Sequence, residues 1–176
     1  AYELDDRVGC IHGYIYPIIG LEKDFFIKGA DCWGWATWSR AWQVFETDGQ
    51  KLLEQVESSE HANDAFNIKC GYVQMLKDQI AGRNSSWAIR WYFSALMNDL
   101  YCLYPAVSYV NNIGLDSSGT HCGDSTRFSV NLVAKYKFKK IDVIENLNYK
   151  KKMTAFCART HSFIFRVFQR IKRVFK

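Results

Sequence analysis

Two tryptophans separated by one glycine are the residues of this sequence best suited to contact a sugar. Trp33 and Trp35 flank Gly34, an arrangement that can present an indole face to the axial C–H groups of a pyranose ring. Asp31 precedes them and could either cap a helix or hold a sugar hydroxyl. These residues predict a carbohydrate contact near positions 31 to 35.

A second candidate pair lies further along the chain, in a segment with helical periodicity. Trp87 and Arg90 share this segment. The guanidinium group is a planar donor fork that can bind a phosphate or a sugar diol, although an arginine on a helix face is usually a salt-bridge partner. We treat both as candidate substrate-binding residues.

One histidine lies in a segment of small polar residues. From Asn111 to Thr126, Gly, Ser, Asn and Asp surround His121. This composition predicts a loop, and long loops inside compact domains are often functional. Residues 111–126 are therefore candidates to line a functional site.

Three segments resemble, in order and spacing, the distal half of bacterial family-2 glycosyltransferases. They are G-A-D-C-W-G-W-A-T-W-S-R-A-W (29–42), D-Q-I-A-G-R-N-S-S-W-A-I-R-W (78–91) and V-N-N-I-G-L-D-S-S-G-T-H-C-G (110–123). The likeness runs from about Asp5 to Asp124, some two thirds of the chain. It implies an α/β fold that is the C-terminal part of the nucleotide-diphospho-sugar transferase (GT-A) fold, an incomplete sheet plus helices. The implied activity is inverting transfer from a nucleotide-sugar donor to a glycan or lipid-linked acceptor in cell-surface polysaccharide synthesis.

The resemblance also implies a divalent cation, Mg²⁺ or Mn²⁺. In the family, an acidic metal-binding motif ends a strand upstream of these segments; here Asp5 and Asp6 precede a strand instead. We expect the missing motif, and the half that holds the donor and most of the cation, to precede Ala1, so that the present chain alone is inactive. The S-G-T-H stretch corresponds to the family's late loop over the nucleotide diphosphate, where His121 would be one metal ligand.

The catalytic base implied by the resemblance is Asp78. An inverting transfer needs one carboxylate to take the proton from the acceptor hydroxyl. Asp78 stands at the family's acidic position ahead of the second tryptophan motif, although Lys77 occupies the place of the first acid of the usual pair. The alternative is that Asp78 is only the polar face of a short helix.

Periodicity and turn residues predict the elements that must position these side chains. Residues 8–19 form a buried apolar strand stopped at Pro17, with its neighbours expected upstream. A helix with one aromatic face runs from Asp31 to about Asp48. Trp38 and Trp42 in this helix, and Trp91 further along the chain, follow helical spacing and are expected in the core. Further helices are predicted at 51–58, at 72–81 before Gly82, and at 87–100 behind an N-cap at Ser85-Ser86, followed by a strand at 101–110.

Charge divides the chain into an acidic body and a basic tail. Residues 1–134 carry ten Lys and Arg against sixteen Asp and Glu, whereas residues 135–176 carry thirteen against two. We interpret 1–134 as the acceptor-side portion of the glycosyltransferase domain and 135–176 as a basic tail that ends in an amphipathic helix from Ile164. Such a helix is attracted to anionic lipid, and the alternative is docking on the acidic body.

The sequence favours a reducing compartment. The six cysteines are widely spaced, without a C-x-x-C pair, so free thiols are expected. Together with the basic tail, this predicts a cytoplasmic protein held peripherally on the cytoplasmic face of the membrane.

Two other classes of function are weighed against the enzyme. Binding of single-stranded nucleic acid requires aromatic residues interleaved with Lys and Arg, but residues 33–42 contain only Arg40 and the body is acidic. A non-catalytic carbohydrate-binding protein or pseudo-enzyme would keep the tryptophans and dispense with Asp78 and His121, and it remains an alternative.

Overall fold

A mixed four-stranded sheet forms the centre of the described chain. The computed structural model describes residues 1–113, 128–133 and 139–174, with side chains as far as Thr160. The strands are β1 (Val8–His12), β2 (Phe25–Lys28), β3 (Trp35–Thr37) and β4 (Tyr101–Tyr104), in the order β2-β4-β1-β3. β1 and β4 are parallel, and the two outer strands are antiparallel to their neighbours. The predicted α/β class is confirmed at this level.

Strand β1 is shorter than predicted and is paired differently. It ends at His12, and both of its neighbours, β3 and β4, come from downstream residues, so the expectation of upstream partners was wrong. Beyond the strand, the Ser108 hydroxyl accepts a hydrogen bond from Ile15 N–H (2.7 Å) and donates one to Ile15 O (3.0 Å). The Ser108 side chain thus satisfies the backbone groups of Ile15 that a neighbouring strand would otherwise pair with, and Ile15 remains buried although it lies outside the sheet.

Six helices and one 3₁₀ turn accompany the sheet in the described residues. They are α1 (Ser39–Trp42), α2 (Gly49–Glu57), a 3₁₀ turn (Glu60–Asn63), α3 (Ala65–Lys69), α4 (Tyr72–Ile80), α5 (Trp87–Met97) and α6 (Leu147–Val174). The predictions for α2, α4 and α5 are confirmed to within three residues at either end. Asp48 caps α2 by accepting from Gln50 and Lys51 N–H, whereas Ser86 at the start of α5 makes no side-chain cap bond. The strand predicted at 101–110 ends at Tyr104, before Pro105.

The long helix predicted from Asp31 was wrong. Residues 35–37 form an edge strand against β1, and only a single helical turn follows. Trp35, Trp42 and Phe45 belong to one aromatic cluster instead. The Trp35 ring contacts the Trp42 ring, and the Trp42 ring stacks on Phe45. Tertiary pairing with β1 thus overrides a local helical pattern.

The first half of α6 belongs to the core and is tied to α3. Met153 and Cys157 are buried in the main apolar cluster. Cys70, which follows α3, forms a disulfide with Cys157, with Cα atoms 4.9 Å apart. The expectation of free thiols was therefore wrong for this pair, which is 87 residues apart in sequence. Cys10, Cys32 and Cys102 are free.

Candidate functional site

Asp31 lies against the carboxyl ends of the two parallel strands, held by side chains of both. Its Oδ2 accepts a hydrogen bond from Tyr104 O–H (3.3 Å), and its Oδ1 is 3.5 Å from His12 Nε2. Cys32 N–H also donates to Oδ1 (2.7 Å), and the side chain is only 15% exposed. No helix begins here, so Asp31 is not a helix cap; it anchors the crossing segment to the sheet.

His12 is the buried partner of this carboxylate. Trp33 N–H donates to His12 Nε2 (3.0 Å), so the neutral imidazole carries its proton on Nδ1. Burial lowers the pKa of His12, and the nearby Asp31 charge opposes this only in part. Within the described residues, His12 Nδ1 is buried and has no hydrogen-bond partner.

Trp33 and Trp35 join different aromatic clusters rather than forming one shelf. Gly34 between them has φ +59°, and an added Cβ there would meet Val110 at 2.5 Å. The Trp33 ring packs edge-on against Tyr14 (4.9 Å between centroids). The Trp35 ring lies 5.7 Å from Trp87 instead.

Trp35 belongs to a tryptophan cluster that also contains Trp42, Trp87 and Trp91. Trp91 is fully buried, as predicted, whereas Trp42 is 36% and Trp87 42% exposed. The Trp42 and Trp87 rings are T-shaped, with centroids 6.0 Å apart. Trp91 is therefore the buried base of the cluster, and the indoles of Trp42 and Trp87 are partly exposed.

Arg90 lies beside this cluster but is held by the protein itself. One of its terminal nitrogens donates to Thr47 O, and the guanidinium lies 5.6 Å from the Phe45 ring centroid. Its Nε is buried without a partner among the described residues. Arg90 supports the cluster and leaves only part of its donor fork for a ligand.

Asp78 lies on α4, with its partners close in sequence. Arg83 forms an ion pair with its carboxylate, and Gln74 Nε2 donates to it at 2.8 Å. The Arg83 hydrogen bond, with help from Gln74, lowers the pKa of Asp78. A lowered pKa weakens a carboxylate as a base, so this geometry does not favour the predicted role.

The metal site cannot be assembled from the residues described. His121 lies outside them. In residues 1–113, 128–133 and 139–160, no three His, Cys, Asp or Glu side chains converge as a cation site would require. We therefore derive no step through a cation.

Sequence reasoning missed His12, the buried partner of Asp31. The apolar pattern of residues 8–19 predicts only a strand at that position. A histidine at the end of an otherwise apolar strand was the available signal. None of the helices in the described residues is long and apolar enough to cross a membrane.

Comparison with known proteins yields no match: no family model, no curated protein and no solved structure is significantly similar to this chain.

Proposed function

We propose that this chain is the acceptor-side portion of an inverting glycosyltransferase of the GT-A type. It would present a glycan or lipid-linked acceptor to a nucleotide-sugar bound by a preceding half, with Mg²⁺ or Mn²⁺ held mostly by that half. The proposal rests on the residues of the three motifs and on how they meet in the fold.

The observation that carries the proposal is the convergence of the three motifs. Residues 29–42 contact residues 78–91 through the rings of Trp35 and Trp87, 5.7 Å apart. They contact the start of 110–123 through Gly34, where an added Cβ would meet Val110 at 2.5 Å. Segments far apart in sequence thus meet at residues 34 and 35, which supports a shared role for them.

The partly exposed indoles supply the sugar contact. The indole rings of Trp42 and Trp87 are partly exposed above the buried Trp91. Such aromatic surface packs well on the C–H face of a pyranose. Because the buried Trp91 ring lies 4.9 Å from Trp42, the surface is preorganised and little ordering entropy opposes binding.

Binding to cell-surface oligosaccharides on a glycan array, followed by calorimetry with the strongest ligand, tests this surface. We expect Trp87→Ala and Trp42→Ala to weaken binding roughly 2- to 12-fold, the worth of one aromatic contact. Trp38→Ala is the matched control, because Trp38 is half-buried and stacks with Arg40 outside the cluster. Equal weakening by the control, or no glycan bound at all, would contradict the proposal.

Turnover separates an enzyme from the alternative, a non-catalytic carbohydrate-binding or pseudo-enzyme domain. The protein that includes the upstream half should release nucleoside diphosphate from a nucleotide-sugar when an acceptor is present. If Asp78 is the base, Asp78→Asn lowers kcat by roughly 10²-fold or more. Normal turnover in that variant removes Asp78 from the mechanism, and glycan binding without any turnover favours the alternative.

We also propose that the end of α6 attaches the protein to an anionic membrane surface. The helix continues to Val174, and residues 161–174 carry four Lys and Arg and no Asp or Glu. Each basic residue near an anionic surface contributes ~1 kcal/mol. Truncation after Thr160 should abolish salt-sensitive binding to phosphatidylserine vesicles; unchanged binding would place the contact elsewhere.

A further inference from the structure

Strand β3 is an edge of the sheet with backbone groups that point away from it. β3 pairs only with β1 in the described sheet. Gly13 N–H donates to Gly34 O (2.7 Å), and the residue pairs of an antiparallel ladder alternate between hydrogen-bonded and non-hydrogen-bonded. Ala36, two residues after Gly34, is therefore bonded to β1 as well. Trp35 and Thr37 direct their N–H and C=O groups to the outer side.

These four outward groups have no partner among the described residues. In this part of the chain, no hydrogen bond outside the ladder with β1 involves the backbone of Trp35 or Thr37. β3 also carries neither a charged residue nor a proline, which commonly protect an exposed edge from pairing. Such an edge is a template for a further strand.

The opposite edge of the sheet is already covered by the chain itself. Glu145 forms a parallel bridge with Phe26 of β2, and Asn146 N–H donates to Phe26 O (2.8 Å). Glu145 Oε1 also accepts a hydrogen bond from Lys28 N–H (3.1 Å). Of the two edges of the described sheet, only that of β3 is therefore open.

One face of the sheet loses its cover toward the same edge. A row of four aligned residues crosses the strands from β2 to β3, namely Phe26, Leu103, Ile11 and Ala36. Phe26 and Leu103 are 0% and 5% exposed, in an apolar cluster with Tyr2. Ile11 is half-buried, and Ala36 is exposed. Parallel strands are usually covered on both faces, so the part of this face without cover lies beside the open edge.

The first residues of the chain lie beside the end of β3. Arg40, three residues after β3, donates to Tyr2 O (3.0 Å) and to Glu3 O (2.8 Å). β3 is antiparallel to β1, so it ends where β1 begins. A segment that precedes Ala1 therefore starts close to the open edge.

We propose that the open edge of β3 pairs with a strand of the preceding half, which binds the nucleotide-sugar donor, so that one continuous sheet carries both halves. Trp35 and Thr37 bond that strand through their backbone groups, and apolar residues of the same half cover Ile11 and Ala36. The inference rests on the proposed function, which places that half before Ala1. Because Trp35 also belongs to the tryptophan cluster, the pairing holds the donor beside the proposed acceptor surface.

Amide hydrogen exchange, measured by NMR on the 176-residue chain and on the longer protein, tests the pairing. We expect the Trp35 and Thr37 N–H groups to exchange at least ~10-fold more slowly in the longer protein, because a closed ladder protects them. Ala36 N–H, which is bonded to β1, is the internal control and should be protected in both proteins. Equal exchange of Trp35 and Thr37 in the two proteins refutes the pairing.

A second copy of the chain is the competing occupant of this edge. Analytical ultracentrifugation of both proteins over a range of concentrations detects it. Monomers in which Trp35 and Thr37 are protected only in the longer protein support the proposal. Protection that follows dimerisation in both proteins assigns the edge to a second copy and overturns it.

Ala36→Lys tests the cover on the open face. Ala36 is exposed in the 176-residue chain, so the Tm of that chain should not change. In the longer protein, the same charge is buried against the donor-binding half, so we expect a lower Tm and faster exchange at Trp35 and Thr37. Ala81→Lys, at an exposed alanine that follows α4, is the matched control and should leave both proteins unchanged. An equal loss of Tm in the two proteins refutes the cover.

The outcomes separate this inference from the proposed function. Protection of the edge in a longer protein that transfers no sugar refutes the enzyme and retains the pairing. Transfer by a protein in which the Trp35 and Thr37 amides exchange freely refutes the pairing and leaves the glycosyltransferase proposal intact.

Discussion

Reduction of the Cys70–Cys157 disulfide is expected to lower the stability of this fold substantially. The bridge joins residues 87 apart, and a loop of this length restricts the unfolded chain by about 4 to 5 kcal/mol in the chain-entropy relation. Measured effects are typically ~2–4 kcal/mol, so we expect a loss of about 3 to 4 kcal/mol. For a chain of this size, that loss lowers Tm by roughly 6 to 16 °C.

Urea unfolding followed by tryptophan fluorescence, with and without a phosphine reductant, measures this loss. Cys157→Ser should match the reduced wild type and should not respond to the reductant, and Cys32→Ser, which removes a free thiol, should behave as the wild type does. The linked peptide should be found by mass spectrometry after oxidative refolding. A wild-type protein that contains that peptide yet unfolds at the same urea concentration under both conditions refutes the loop-entropy reasoning.

Two further predictions concern one buried and one half-buried titratable group. Because burial holds the pKa of His12 below its usual range, stability is fully present above the unfolded value of about 6.5 and falls by up to ~1.4 kcal/mol per unit as pH drops from there toward the folded value. His12→Gln should flatten this slope in pH-dependent urea unfolding, and an unchanged slope would assign the effect to other groups. Lys150 Nζ lies 2.9 Å from Asp64 Oδ2 and 3.4 Å from Glu145 Oε1, so Lys150→Met should cost ~2–3 kcal/mol at neutral pH, and less in acid once Asp64, whose pKa is lowered by this pairing, is protonated. The same change at exposed Lys151 should be nearly neutral, and similar costs at both positions would contradict the pairing.

Elements with local signals could be predicted from the sequence. The capping residue Asp48 precedes α2, and a positive-φ glycine, Gly82, follows α4. These signals lie within one or two residues of the helix ends, so they act before any tertiary contact forms. The predicted boundaries of α2 and α4 are therefore nearly correct.

Features that depend on distant partners could not be predicted in the same way. Trp35 follows helical spacing, yet its backbone pairs with His12 in the sheet. Asp31 was read as a possible helix cap because its partners, His12 and Tyr104, are 19 and 73 residues away. The sequence also could not predict that His12 Nδ1 is unpaired, because this depends on the hydrogen bond that Trp33 N–H donates to Nε2 of the same ring.

Of the strands in the described part of the chain, the last to be synthesised is an inner one. β4 pairs with β2 on one side and with β1 on the other, and Tyr101 is aligned with Val8. During translation, β1 and β3 can associate, but β2 has no strand partner in the described sheet until residues 101–104 leave the ribosome. A nascent chain stalled before that point would expose the apolar Phe25, Phe26 and Ile27, and chaperone binding at this stage is the expected cost of the strand order.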